Sequence, residues 1–158
     1  MAKPVKTNAM RMLDRAKIPF ETLEYTVDES NLTGTHIADE VGLPYDMVFK
    51  TLVAKGDKTG YVVFCIPVDC EIDLKKAAAA TNNKRVELIA VKELLPLTGY
   101  IRGGCSTIGM KKQFPTFFDE SVLKHEKITV SAGVRGCQLL LLREQLIDFV
   151  NAQTKDIC

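Results

Sequence analysis

Two apolar runs, residues 48–54 and 61–66, flank Gly56-Asp57-Lys58-Thr59-Gly60, and this arrangement constrains the fold more than any other segment. A short polar stretch bounded by glycines between strand-like runs is a hairpin signal, because glycine supplies the backbone angles a tight reversal needs. Tyr61-Val62-Val63-Phe64-Cys65-Ile66 is apolar throughout. A run without polar alternation fits a central strand covered on both faces.

The first run carries one exception, Lys50, in Val48-Phe49-Lys50-Thr51-Leu52-Val53-Ala54. Strand alternation puts Lys50 on the face of Leu52 and Ala54, with Phe49, Thr51 and Val53 opposite. An ammonium on an apolar face must be paired, hydrated in a cleft, or depressed in pKa, since burying an unpaired charge is costly. Such a lysine is a candidate for a functional site. The plainer alternative is a lysine that faces solvent or guards an exposed edge.

Elsewhere the pattern is mixed. Thr7 reads as the N-cap of a helix with Met10, Leu13 and Ala16 inward. Leu23, Tyr25 and Val27 alternate as a strand, and residues 35–41 form a short helix closed by Gly42 before Pro44. Asp73 can cap a helix through Leu74-Lys75-Lys76 and the alanines 77–80, ended by Thr81-Asn82-Asn83. Residues 84–89 fit a strand, and residues 91–95 one helical turn before Pro96. Phe117-Phe118, 128–130 and 138–142 read as strands, and 143–153 as a closing amphipathic helix with Leu146, Phe149 and Val150 inward. The expectation is one α+β domain over 1–158, a mixed and mostly antiparallel sheet, partly barrel-like, surrounded by helices.

A net charge of +1 gives no bulk polycation, so any nucleic-acid contact must come from a local patch. No apolar run approaches the ~20 residues that span a bilayer, and Met1-Ala2-Lys3-Pro4-Val5-Lys6 has no signal-peptide character. The cysteines, at 65, 70, 105, 137 and 158, are odd in number and lack a C-x-x-C pair, which points to free thiols in a reducing compartment. The expected location is cytosolic. His36, read as a surface residue on a short helix, and His125, read as a loop residue, lack ligand-like spacing, which argues against a histidine triad or zinc site.

Gly99-Tyr100-Ile101-Arg102-Gly103-Gly104-Cys105-Ser106-Thr107-Ile108-Gly109-Met110-Lys111-Lys112 is rich in glycine. It partly matches a P-loop, but Met110 and Lys112 occupy the lysine and hydroxyl positions, so that reading fails. G-x-G-x-x-G is absent as well. Two readings stay open: a tight loop shaped by glycine, or a wall of backbone amides around a carbonyl or ribose with Lys111 and Lys112 near phosphate. Thr129-Val130-Ser131-Ala132-Gly133-Val134-Arg135-Gly136 runs a strand into a Ser/Gly turn with one arginine.

Taken in order, Tyr25, Phe49-Lys50-Thr51, Pro67-Val68, Asp73-Leu74-Lys75-Lys76, Gly99-Tyr100, Gly103-Gly104-x-Ser106, Gly109-x-Lys111-Lys112 and Ser131-x-Gly133-x-Arg135-Gly136 resemble the YbaK/EbsC family of freestanding aminoacyl-tRNA deacylases, in its Cys-tRNA(Pro) branch. The resemblance runs from Val5 to about Val150. It implies a fold like the editing domain of prolyl-tRNA synthetases, and cleavage of the ester between a mischarged amino acid and the tRNA 3′ end. Lys50 matches the family's essential lysine, and its implied task is to bind the 3′ end or carbonyl and stabilise developing negative charge. Tyr25, Thr51, Gly103, Gly104, Ser106, Ser131, Gly133 and Arg135 are the implied substrate-binding residues, and Lys111 and Lys112 the implied tRNA contacts.

In the cysteine branch the substrate's own thiol attacks its ester, which needs no protein nucleophile, metal or cofactor. The implied partners are the acceptor end of mischarged tRNA(Pro) and a delivering prolyl-tRNA synthetase, with no membrane. A sibling branch removes alanine with water, and a non-catalytic module that binds aminoacyl-tRNA or a synthetase is the rival from another class. Two residues depart from the family pattern: Gln138 stands in place of an aspartate, and Thr107 in place of a proline. Cys105 and Cys137 lie near the motifs but read as small apolar packing rather than nucleophiles.

Overall fold

A computed structural model describes residues 6–158. The signal-peptide reading of the first residues and the start of the expected 1–158 domain fall outside that range. In chain order the elements are α1 (Asn8–Arg15), β1 (Glu21–Glu24), α2 (Gly34–Val41), β2 (Phe49–Gly56), β3 (Gly60–Pro67), α3 (Leu74–Thr81), β4 (Val86–Leu88), α4 (Val91–Thr98), β5 (Thr116–Asp119), β6 (Lys127–Ser131), β7 (Cys137–Leu142), α5 (Arg143–Phe149) and β8 (Gln153–Lys155). Short 3₁₀ turns occupy Tyr45–Met47 and Glu120–Lys124.

The hairpin forms as its sequence requires, with β2 and β3 antiparallel from Phe49↔Pro67 to Gly56↔Gly60. Its turn is held from outside: Asn83 Oδ1 accepts from Lys58 N at 2.8 Å and Thr59 N at 3.1 Å. Asn83 packs so closely that a Cβ on Gly56 would lie 2.2 Å from its Nδ2, so this glycine is needed for space. The strands run β4-β2-β3-β5-β8 in one sheet and β1-β7-β6 in the other. Among the described strands only β3·β5 and β5·β8 pair in parallel. The fold is thus a mixed, mostly antiparallel α+β domain, its sheet divided in two and joined by a Val48↔Thr129 bridge.

β3 is central and buried on both faces. Val63 and Cys65 enter the larger core with Phe49, Phe118, Leu139 and Leu13. Val62, Phe64 and Ile66 enter a second core under α3, with Ala77, Ala78 and Ile157. Burying a side chain such as Phe64 contributes about 1.5–3 kcal/mol. The α1 cap is as expected, with Thr7 Oγ1 accepting from Met10 N at 3.2 Å, although Ala9 is buried and Ala16 exposed.

Three elements differ from the sequence expectation. α4 continues past Pro96 to Thr98. Proline leaves the carbonyl four residues back without its helical partner, but Lys92 is exposed and water can serve it. Thr98 Oγ1 to Leu94 O (2.7 Å) and Gly99 N to Leu95 O (2.8 Å) then close the end. β1 stops at Glu24, short of Val27. The closing helix ends at Phe149, and Gln153–Lys155 pairs parallel with β5 as β8. That segment has no strand signature of its own and is a strand because β5 offers it an edge.

Candidate active site

β2 pairs with β4 only over Ala54–Gly56, extended by Ile89 N donating to Val53 O at 3.1 Å. Among the described residues no strand pairs with the outer edge of β2 from Lys50 to Leu52, and a cleft of about 810 Å³ lies along it. Its walls are the segment entering α2, the turn Asp69-Cys70-Glu71, the β4–α4 junction, the glycine loop at Arg102, Gly103 and Cys105, and Ser131 and Gln138 of the second sheet. The volume falls within the ~300–1,000 Å³ typical of small-ligand sites.

Lys50 lines this cleft, half-buried, opposite Ile66 across the hairpin. Its face is the one shared with Leu52 and Ala54, as alternation requires. Among the described residues it makes no ion pair or side-chain hydrogen bond, so its ammonium is presented to the cleft. The carboxylates of Asp69 and Glu71 and the guanidinium of Arg102 also border the space, which makes its mouth polar.

Thr51, Gly103 and Ser131 stand on the same walls as Lys50. Thr51 Oγ1 lies 3.8 Å from Cys65 Sγ. Ser131 Oγ accepts from Gly133 N at 3.1 Å, which leaves its hydroxyl hydrogen able to donate. Gln138, 3 % exposed, accepts from Thr129 Oγ1 at 3.3 Å through Oε1 and lines the cleft floor. Cys105 also faces the cleft, but burial and then the neighbouring Cys65 push its thiol up to about 12. Burial and then Glu24 push Cys137 up as well. Thiols so protonated at neutral pH make poor nucleophiles.

The other expected site residues lie off the cleft wall. Tyr25 lines a small adjoining hollow with Arg135, and that hollow shares Leu32, Ile37 and Gly103 with the cleft. Arg135 Nε donates to Arg102 O at 2.8 Å, holding the glycine loop against the β6–β7 turn. Gly104 is buried against that turn: a Cβ would lie 3.1 Å from Arg135 N and 3.2 Å from Val134 C. Ser106 is fully buried, its Oγ accepting from Ile108 N at 3.1 Å. Gly133 packs on the Tyr100 ring. The Lys111 side chain lies along Gly99 and reaches Pro96 O, while Lys112 is exposed. His36 lies 3.6 Å from Glu40 on α2. His125 Nε2 lies 3.0 Å from Asp46 Oδ1, which ties together the two 3₁₀ turns.

Sequence reasoning did not anticipate the acidic turn at 69–71 or the apolar wall at Ile89, Ala90 and Leu94. The usable signal was the position of Asp69-Cys70-Glu71, between the end of an apolar strand and a capped helix.

Residues 29–149 match the family model described as the aminoacyl-tRNA editing domain. The chain is 47% identical over 152 residues to EbsC of Enterococcus faecalis, to which a Cys-tRNA(Pro)/Cys-tRNA(Cys) deacylase activity is ascribed, and the alignment covers 96% of this chain and 93% of that one. Among solved structures, one described as a candidate trans-editing enzyme for prolyl-tRNA synthetase superposes with a TM-score of 0.81 at 22% identity, covering 96% of this chain and 97% of the other. The hypothetical protein APE2540 gives 0.83 at 19% identity, covering 93% and 96%. At such identities the structures speak to the fold alone.

Proposed function

The chain belongs to the aminoacyl-tRNA editing domain family, and from that membership we propose that it clears cysteine from mischarged tRNA by letting the substrate's own thiol attack its ester. The observation that carries this reading is Lys50, an ammonium without a protein partner among the described residues, set in a cleft with hydroxyls and backbone, where burial keeps the Cys105 thiol protonated. In the reaction the cysteinyl sulfur bonds to its own carbonyl carbon and the carbon–oxygen bond to the terminal ribose breaks. The thiol proton ends on the ribose oxygen, so a thiolactone and free tRNA leave. Lys50 stabilises the oxyanion that forms on the carbonyl oxygen. Thr51, Ser131 and the backbone at Gly103 hold the aminoacyl group curled, and such positioning can be worth an effective molarity of ~10⁵–10⁸ M.

The relative's ascribed activity supports cysteine as the amino acid. A net charge of +1 gives the chain little general attraction for phosphates, which fits delivery of the tRNA by a prolyl-tRNA synthetase. The experiment is deacylation of Cys-tRNA(Pro) and Ala-tRNA(Pro) by the purified protein and by Lys50→Ala. Loss of the cysteinyl ester alone, abolished in the variant, is the expected result. Loss of alanine from Ala-tRNA(Pro) overturns the internal-thiol mechanism, because alanine has no thiol. Turnover of neither, with tRNA still bound, favours the binding module or a missing synthetase partner, and the same null with the synthetase added overturns the enzymatic reading.

A further inference from the structure

Cys70 and Cys158 come from distant parts of the chain and meet beside the cleft. Asp73 N donates to Ile157 O at 2.8 Å, and Ile157 N donates to Asp119 Oδ1 at 3.1 Å, so the last residues are laid along the 70–76 segment. Lys76 Nζ closes the arrangement on Cys158 O at 2.8 Å. Both cysteines are half-buried against the same core under α3, and the Cys158 thiol neighbours that of Cys70. Cys70 itself lines the cleft.

We propose that Cys70 and Cys158 are a dithiol that hydrogen peroxide oxidises to an intramolecular disulfide, pinning the Asp69-Cys70-Glu71 wall of the cleft to the end of the chain. The Cys70 thiolate attacks the peroxide, breaking its O–O bond, giving a sulfenic acid and releasing hydroxide, which leaves as water once protonated. The Cys158 sulfur then attacks the Cys70 sulfur and displaces the sulfenic hydroxyl. The displaced hydroxyl takes the Cys158 proton and leaves as a second water. The sulfurs together lose two electrons, and the peroxide gains them.

The roles follow from the surroundings. Burial and then the neighbouring Cys70 thiol push the Cys158 thiol upward, with Asp119 adding to the effect, so Cys158 suits the second step rather than the first. Cys65 and Cys105 are another close pair, but Cys65 is fully buried and burial holds both thiols protonated.

The test treats the reduced protein with one equivalent of hydrogen peroxide and maps its peptides by mass spectrometry without reductant. A Cys70–Cys158 linked peptide is expected, with two of the five free thiols lost, reversal by dithiothreitol, and no such link in Cys70→Ser or Cys158→Ser. A disulfide-linked dimer, or a Cys70 sulfinic acid beside an intact Cys158 thiol, overturns the proposal. Oxidation should also raise Tm by several degrees, because the bond closes a long loop; an unchanged Tm in the cross-linked protein overturns the pinning. Neither readout depends on tRNA, so the outcome is separate from that of the deacylation assay.

Discussion

Arg135 Nε donates to the carbonyl of Arg102 at 2.8 Å, so the turn between β6 and β7 holds the glycine loop from the opposite sheet. The two motifs that look independent in sequence are one piece of structure here. Gly103 thereby comes to the cleft wall facing β2, while Arg135 is spent on holding it there.

Removing the Lys50 ammonium should remove catalysis and leave folding intact. Lys50→Ala is expected to lower the deacylation rate by about 10²–10³-fold, the scale of a lost oxyanion donor. Tm should shift little, since the side chain makes no described ion pair. Lys50→Arg should rescue poorly, because a planar guanidinium does not take the place of a compact ammonium. An Arg variant as active as the parent would contradict the proposed role.

Gly104→Ala should loosen the joint between loop and turn. The added methyl meets Arg135 N at 3.1 Å and Val134 C at 3.2 Å, and backbone atoms cannot swing aside as a side chain would. A cost of about 1–3 kcal/mol is expected from overpacking, read in urea unfolding, together with weaker binding in the cleft.

Asp119 should shape the acid limb of stability. Burial works against its charge, but the Ser121 hydroxyl beside it and hydrogen bonds from the backbone N–H groups of Ile157 and Ser121 outweigh it and hold the carboxyl below its ordinary value. A carboxyl depressed in the folded state stabilises above its unfolded pKa of about 3.9, and that contribution is lost as pH falls through the lower folded value. Asp119→Asn should flatten that part of a Tm-versus-pH curve and loosen the Ile157 segment. A variant curve parallel to the parent's below pH 4 would count against this.

Gln138→Glu should do the reverse. At 3 % exposure the new carboxyl is desolvated, so its folded pKa rises above the unfolded value of about 4.3. For an acid shifted upward, destabilisation grows as pH rises from the unfolded toward the folded pKa, then levels off. Tm of the variant should match the parent near pH 4 and fall below it by pH 7.

Cys65 and Cys105 should stay unlabelled by iodoacetamide in the native protein at pH 8. Burial pushes both thiols up to about 12, leaving roughly one part in 10⁴ as thiolate. Mass spectrometry after brief labelling should find the alkyl group on Cys70 first and on those two only after unfolding.

Much of the local structure was legible because its causes are local. Thr7 and Asp73 cap their helices with their own side chains, and the β2–β3 turn is encoded between its glycines. β8 was not legible, since Gln153–Lys155 becomes a strand only against β5. Nor was the division of labour among motif residues: Ser106 is fully buried and bonded to Ile108 N, whereas Ser131 reaches the cleft. Their sequence contexts, a serine among glycines, are nearly alike.

The sequence by itself determined the α+β class, the central hairpin, and a lysine on an apolar face that has to be paired, hydrated or turned to solvent, because periodicity and the cost of an unpaired charge act within a few residues. Only the tertiary structure decided where the cleft opens: along the stretch of β2 that β4 is too short to cover. It also decided that the acidic 69–71 turn borders it and that Cys70 meets Cys158, for contacts between residues far apart in sequence depend on how the sheets and the chain end pack.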